Sequence, residues 1–210
     1  MANPFLPAKV NLMYNNREPR FYQDITYSGK TWQKTTKQIY FYKGSGDDNS
    51  KADMSYSGYL LYKGMNRDLL NQGSNAKSKF RAGMLFRLAD FYLLYAEALN
   101  QNGKTAEACK YLNMTRRRGF GYQTTETSPV DLQTTDKAQF ALMVEQERRV
   151  ELAFENHRWF DLIRTGRAVE VMKSKGFSLN ETNLICPIPQ KQIDVNPKLT
   201  QNDYKIESRN

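Results

Sequence analysis

The residues of this chain whose type and spacing could do chemistry are the carboxylates of a charged stretch from Glu145 to Arg164. At 100° per residue, Glu147 and Glu151 fall on the same face of a predicted helix as several apolar side chains. Those apolar residues are Phe140, Met143, Val144 and Phe154. Two carboxylates one turn apart in an apolar stripe can form a catalytic pair, a solvated face with i,i+4 ion pairs, or a buried ion-pair network.

We favour the buried network, because a charge inside an apolar stripe needs a partner of opposite sign. A glycosidase needs two carboxylates that face each other across a cleft, whereas Glu147 and Glu151 are neighbours on one helix. We therefore expect these residues to stabilise the fold, and we assign no catalytic residue. The expected members of the network are Glu147, Arg148, Glu151, Arg158, Asp161 and Arg164.

Residues that could hold a metal are few and poorly spaced. The single histidine, His157, and the two distant cysteines, Cys109 and Cys186, do not form a zinc pattern. The segment Asp47–Asn49 could offer oxygen ligands to calcium. It lacks the spacing of an EF-hand, however, and a solvated loop tip is the favoured interpretation. We expect neither a metal nor a cofactor.

The net charge of +9 comes from 31 Lys and Arg residues against 22 Asp and Glu residues. A basic balance can indicate nucleic-acid binding. The basic residues are scattered, however, and the densest run, residues 116–118, lies at a predicted helix end where cations complement the dipole. We therefore expect no nucleic-acid partner. No apolar run approaches the length of a membrane span, and the first residues lack the pattern of a signal peptide.

Aromatic side chains are the candidates for ligand binding. The chain has 13 Tyr, 11 Phe and 2 Trp residues, many of them in loop-like segments before Arg81. Sugars bind by laying their apolar faces on flat rings while polar groups fix the hydroxyls. The candidates are Trp32, Tyr40, Tyr42, Tyr56 and Tyr59. The alternative is that each ring packs this segment onto the helices.

The chain has two successive parts with different residue patterns. Residues 1–80 hold short alternating segments, and the pattern predicts strands over 21–27 and 32–42 around a glycine turn. Apolar residues then recur at helical spacing from Leu85 to Leu99, and a second, antiparallel helix ends near Arg118. Residues 95–112 resemble a tetratricopeptide repeat. Because one such hairpin cannot bury its own apolar face, we expect that face to be exposed or covered in a homo-oligomer.

The remainder of the chain is predicted from capping and breaking signals. Asp136 can cap the central helix, and Asn156 can end it in the left-handed conformation. A further helix from Arg158 should bury Trp159, Phe160, Leu162 and Ile163. Prolines after residue 176 predict an extended tail over 177–210. We therefore predict one mainly α domain over 1–210, with helical hairpins at 81–176 and an irregular, β-hairpin-containing and loop-rich segment at 1–80 packed on them.

Four motifs together resemble the C-terminal part of the SusD/RagB family of nutrient-binding outer-membrane lipoproteins. They lie at residues 16–32, 86–99, 147–164 and 187–202, and their order and spacing match the family. The third is close to the family pattern Glu-Arg-Arg-x-Glu-Leu-x-x-Glu-Gly-x-Arg-x-x-Asp-Leu-x-Arg, with Asn156 in place of the usual glycine. Members are more than twice this length, so we expect a C-terminal portion without the lipid-anchoring part.

The resemblance implies a non-catalytic role at the cell surface, on the outer membrane. The protein would bind an oligosaccharide or a peptide and deliver it to a TonB-dependent transporter of the SusC type. Two other classes stay open at this point. A tetratricopeptide-like interaction scaffold is favoured by the predicted hairpin, and a glycoside hydrolase by the paired glutamates.

Overall fold

The computed structural model describes residues 12–32, 36–47, 57–65 and 84–202. The chain divides into two compact units, Met1–Glu155 and Asn156–Asn210, and each is described separately. The described residues contain seven α-helices and one two-stranded sheet. The predicted mainly α fold class is confirmed.

Three helices form the centre of the first unit: α2 (Leu88–Gln101), α3 (Thr105–Phe120) and α4 (Lys137–Glu151). They pack on one another around side chains that recur at helical spacing. The fully buried members include Leu93, Leu112 and Phe140. Gly103 adopts φ +76° between α2 and α3, which turns the chain back as the helical hairpin prediction requires. The side chain of Asp136 accepts a hydrogen bond from Gln139 N and caps α4, as predicted.

The start of the first unit differs from the prediction of two strands over 21–27 and 32–42. Residues Pro19–Asp24 form the short helix α1, and strand β1 (Ile25–Thr26) pairs antiparallel with β2 (Leu60–Leu61). Pro19 occupies the first helical position, where its fixed φ favours a helix and its missing N–H costs nothing. Of the described residues of the second predicted strand, Gln38 forms an isolated antiparallel bridge with Thr31.

An aromatic cluster fills the interior beside α1. Tyr14, Tyr22 and Tyr27 are buried, and Phe21 and Tyr59 pack against them. Burial raises the pKa of Tyr27 to about 12, because a phenolate would be poorly solvated there. Lys30 Nζ donates to the carbonyls of Tyr22 (2.6 Å) and Ile25 (2.8 Å). The lysine thus satisfies carbonyl groups at the end of α1.

Helix boundaries depart from the sequence prediction at two places. Leu85 precedes α2 and is 88 % exposed, so it is not part of the helical stripe. Helix α4 ends at Glu151, and Phe154 adopts φ +64° with its side chain exposed. Phe154 therefore does not continue the buried face of α4. Asn156 has φ 64°, which confirms the predicted left-handed break.

The second unit contains α5 (His157–Arg164), α6 (Ala168–Ser174) and α7 (Gln190–Val195). The prediction that α5 buries Trp159 and Phe160 is wrong, since both are exposed while Leu162 is buried. A helix of this length buries one narrow face, and adjacent residues point about 100° apart. The tail is not fully extended either, because α7 begins directly after Pro189, a position that proline tolerates.

Candidate functional site: an exposed tyrosine pair and a buried ion-pair framework

Tyr40 and Tyr42 form the most accessible pair among the predicted ligand-binding aromatics. Their ring centroids lie 5.7 Å apart with an interplanar angle of 55°. Tyr40 is half-buried, and Tyr42 is 62 % exposed. A partly fixed ring beside an exposed one gives a platform that a sugar face can contact.

Polar residues close to this tyrosine pair in the sequence form hydrogen bonds and ion pairs. Tyr40 Oη donates a hydrogen bond to Gln38 Oε1, and Lys37 Nζ lies 2.9 Å from Asp47 Oδ1. Asp47 is thus engaged by a lysine, and Asp48 and Asn49, the other two residues of the segment predicted to be a solvated loop tip, lie outside the described residues. Amide, ammonium and carboxylate groups next to a ring can exchange hydrogen bonds with sugar hydroxyls.

The structure places the other predicted aromatics elsewhere. Trp32 is half-buried, 5.9 Å from the ring of Tyr62. Tyr59 meets Tyr14 edge-on at 6.3 Å and belongs to the aromatic cluster. Tyr56 lies outside the described residues. Tyr59 therefore packs the fold together, whereas Tyr42 of the Tyr40–Tyr42 pair is open to a ligand.

The carboxylates of α4 form a buried ion-pair framework. Glu147 and Glu151 are 2 % and 3 % exposed. Arg20 Nη1 lies 2.7 Å from Glu147 Oε1 and 2.8 Å from Glu151 Oε2, and Arg116 Nη1 lies 3.1 Å from Glu147 Oε2. The framework thus joins α1, α3 and α4 through their side chains.

Glu151 is the residue with the most contacts in this framework. Arg87 Nη1 lies 2.7 Å from its Oε1, and Arg118 also pairs with that oxygen. Its backbone carbonyl accepts from Arg87 Nη2 at 2.7 Å and from Lys63 Nζ at 2.6 Å. Such a carboxylate holds together segments that are far apart in the chain, and it could not act as a free base.

The neighbouring Glu155 extends the framework beyond the end of α4. It pairs with Arg87 at 2.6 Å and with Lys63 at 2.7 Å. Sequence reasoning did not name Arg20, Lys63 or Arg87, because a pattern of residues gives no signal for partners that are distant in the chain. A separate buried pair joins α2 and α4, since Arg148 Nη1 lies 2.7 Å from Asp90 Oδ1.

The cations change the titration of these carboxylates. Burial by itself raises the pKa of Glu151, but hydrogen bonds from Arg87 and Arg20 and the charge of Arg118 outweigh it, so the pKa is lowered. Glu155 shows the same balance and a lowered pKa. Asp24 differs, because burial outweighs the attraction of Lys63 and raises its pKa. Glu151 and Glu155 are therefore held in their ionised form.

The remaining predicted network residues belong to the second unit. Asp161 is buried, and Arg164 Nε donates to its Oδ1 at 2.9 Å within α5. Arg158 is half-buried near the start of the same helix.

Gly119 provides the space that Arg20 occupies. A β-carbon at this position would lie 2.6 Å from Arg20 Nε and 2.7 Å from Cζ. Alanine in place of glycine inside a helix normally adds about 1 kcal/mol of stability. We expect Gly119→Ala instead to lower the free energy of unfolding by about 1–3 kcal/mol, measured by urea denaturation, because the guanidinium must leave its position between Glu147 and Glu151.

An Arg20→Ala background is the control for this substitution. Alanine lacks the Nε, Cζ and Cδ atoms that would lie closest to the new β-carbon. The cost of Gly119→Ala should be much smaller in that background, since non-additivity reports direct contact. An equal cost in both backgrounds would show that the glycine is needed for another reason.

This chain resembles known proteins in both its sequence and its fold. The sequence model of the SusD family matches residues 7–204. The chain belongs to the SusD family. Among curated relatives of this family, SusD-like protein P38 of Formosa agariphila is 41 % identical over 120 residues. That match covers 57 % of this chain and 24 % of the relative.

Solved structures of SusD-like proteins share the fold. One from Bacteroides fragilis has a TM-score of 0.74 at 26 % identity, covering 91 % of this chain and 40 % of the other. A laminarin-binding SusD-like protein has a TM-score of 0.54 at 29 % identity, covering 91 % of this chain and 36 % of the other. This chain of the SusD family thus spans less than half the length of each of these relatives. Within the part of the chain that the structure describes, no helix is long and apolar enough to cross a membrane.

Proposed function

We propose that this chain belongs to a non-catalytic binding protein of the cell surface that captures a glycan and passes it to a SusC-type TonB-dependent transporter. The observation that carries the proposal is the Tyr40–Tyr42 pair, in which the ring of Tyr42 is exposed and Tyr40 Oη donates to Gln38. The laminarin-binding relative supports a glycan as the ligand. A peptide ligand is the alternative within the same role.

The non-catalytic part of the proposal is supported by the state of the glutamates. Glycoside hydrolysis needs one carboxylate as acid and another as base or nucleophile on opposite sides of the substrate. Glu147 and Glu151 lie on one helix, are almost completely buried, and are paired with arginines. Their arrangement fits bracing of the fold rather than proton transfer to a sugar.

Family membership supports the outer-membrane location and the transporter partner, which are proposed for the whole protein. Co-purification from a Gram-negative host that also expresses a SusC-type transporter would test the partnership. Recovery of the transporter with the full protein supports the proposal. Recovery of the protein in the membrane fraction without any transporter would count against delivery to a SusC-type partner.

Tyr42 gives the direct test of the glycan site. We expect Tyr42→Ala to weaken glycan binding about five- to tenfold, because loss of one ring contact costs about 1–1.5 kcal/mol. The measurement is isothermal titration calorimetry with an oligosaccharide that a glycan array has shown the parent to bind. Tyr122→Ala is the matched control, because Tyr122 is 45 % exposed and lies after α3, outside the tyrosine pair. Equal affinity of the Tyr42 variant and the parent would refute this site.

An interaction scaffold is a second candidate, favoured by the exposed apolar side chains of α2. Leu88 and Phe91 are each 62 % exposed, as expected for a tetratricopeptide-like hairpin without a stacked neighbour. A pull-down that recovers helical soluble partners and no transporter would favour this role. The glycan-binding role is the better supported one, because the structural relatives of this chain include a laminarin-binding protein.

A further inference from the structure

A cavity lies between α1 and the end of α4, and the tyrosine pair does not line it. Its volume is about 350 Å³, which falls in the range of about 300–1,000 Å³ that small-ligand sites occupy. The lining combines two phenylalanine rings, Phe21 and Phe154, with the arginines Arg17 and Arg149. A cavity of this kind offers aromatic faces and guanidinium groups to the same ligand.

Arg17 and Arg149 differ from the arginines of the buried framework. Both are exposed, and neither forms an ion pair with a carboxylate of the described residues. The guanidinium of Arg17 lies 5.5 Å from the ring centroid of Phe21. An arginine stacked on a ring keeps its N–H groups free to donate to an anion. By contrast, the cavity carboxylates are engaged, Glu18 by Arg20 and Asp24 by Lys63.

Phe154 supplies an independent indication of a ligand. Its φ of +64° lies in the left-handed region, where a bulky side chain is an outlier. Its side chain is 54 % exposed, so burial does not offset the cost of that conformation. Backbone outliers of this type concentrate at ligand sites. The conformation leaves an aromatic ring in the wall of an open cavity beside two arginines.

We propose that this cavity binds an acidic sugar, one that carries a carboxylate or a sulfate ester. The sugar ring would lie against Phe21 or Phe154, and the anionic group would accept hydrogen bonds from Arg17 and Arg149. Guanidinium forks match the two oxygens of such groups. This inference rests on the proposed function, because it states the charge class of the glycan. An acidic peptide is the outcome that the test must separate from a sugar, because its carboxylates would pair with the same arginines.

The test compares four probes on the same protein by isothermal titration calorimetry at low salt. The probes are trigalacturonate, a sulfated galactose trisaccharide, neutral galactotriose and triglutamate. The parent should bind the first or second with a Kd below about 1 mM and bind the neutral sugar at least tenfold more weakly. Whichever acidic sugar binds identifies the anion, and binding of neither overturns the inference. Triglutamate that binds as tightly as the acidic sugar also overturns it, in favour of a peptide site.

Variants then locate the binding. Arg149→Gln and Arg17→Gln should each weaken binding of the acidic sugar at least tenfold, and Arg149→Lys should recover part of the loss. Lys104→Gln removes the same charge at an exposed position outside the cavity and should leave binding unchanged. Equal affinity in the Arg149→Gln variant and the parent overturns the inference. If Tyr42→Ala still weakens glycan binding in that case, the proposed function stands and the cavity proposal alone has failed.

Discussion

Replacing Glu151 with alanine should lower the free energy of unfolding by about 3–5 kcal/mol, the range for removing one partner of a buried ion pair. The physical reason is the burial of two arginines that pair with Glu151. Arg20 is only 8 % exposed, and Arg87 is half-buried. Without the carboxylate, Arg87 keeps Glu155 and Arg20 keeps Glu18 and Glu147, but less negative charge faces these cations. The measurement is urea denaturation at pH 7.

The matched control for this prediction is a surface pair of the same charge type. Glu107 lies 3.9 Å from Lys104, and its side chain is 47 % exposed. Exposed pairs of this kind contribute at most about 1 kcal/mol. Glu107→Ala should therefore change stability much less than Glu151→Ala. If the two substitutions have equal effects, Glu151 does not hold the helices together.

The pH dependence of stability gives the same experiment a second readout. Because the folded-state pKa of Glu151 is lowered, its contribution is present above the ordinary glutamate pKa of 4.5 and is lost as the pH falls below it. Glu155 acts in the same direction. Asp24, with its raised pKa, acts in the opposite one. The Glu151→Gln variant should therefore lose less stability than the parent between pH 5 and pH 3, roughly the range in which carboxylates titrate.

Local signals in the sequence were sufficient for the central helices. The apolar spacing from Leu88 onward, the glycine at position 103 and the cap at Asp136 each determine structure within a few residues of themselves. Asn156 belongs to the same class, because a left-handed asparagine is a property of one residue and its backbone. Such features could be predicted since the interactions that produce them are close in the chain.

Features that depend on distant partners could not be predicted in the same way. Arg20 pairs with Glu151 across 131 residues, and Arg87 pairs with it across 64. The carboxylates could be identified as needing partners, but the sequence does not say which arginines supply them. Helix α1 illustrates a related limit, because six residues are too few to show a helical period against an alternating aromatic pattern.

In the candidate site, too, local sequence predicts some features, and contacts with distant residues decide others. Composition and the loop-like setting selected Tyr42 and Tyr59 equally, since both are tyrosines of the aromatic-rich segment before Arg81. The structure separates them, because Tyr59 packs against Tyr14 while Tyr42 remains 62 % exposed. Whether an aromatic ring packs inside the fold or faces a ligand depends on what lies opposite it. That information is absent from local sequence.

The pair of Asp90 and Arg148 is the second place where a large loss of stability is expected. Their side chains are both 4 % exposed, with 2.7 Å between Asp90 Oδ1 and Arg148 Nη1. We expect Asp90→Ala to lower the free energy of unfolding by about 3–5 kcal/mol, because Arg148 loses its buried carboxylate. Asp90 also lies in the first turn of α2, where a negative charge stabilises the helix dipole. Thermal and urea unfolding would measure the loss.

A double variant separates the loss of stability on breaking this pair from the net contribution of the intact pair to stability. Asp90→Leu combined with Arg148→Met replaces both charges by apolar side chains of adequate volume, and such replacements are often neutral or stabilising. We expect the double variant to be more stable than either Asp90→Leu or Arg148→Met alone, because neither charge is then left buried without the other. If the double variant is instead as unstable as the sum of the two single ones, the residues do not act as a pair. A stable double variant would mean that the pair fixes how α2 packs on α4 more than it adds to stability.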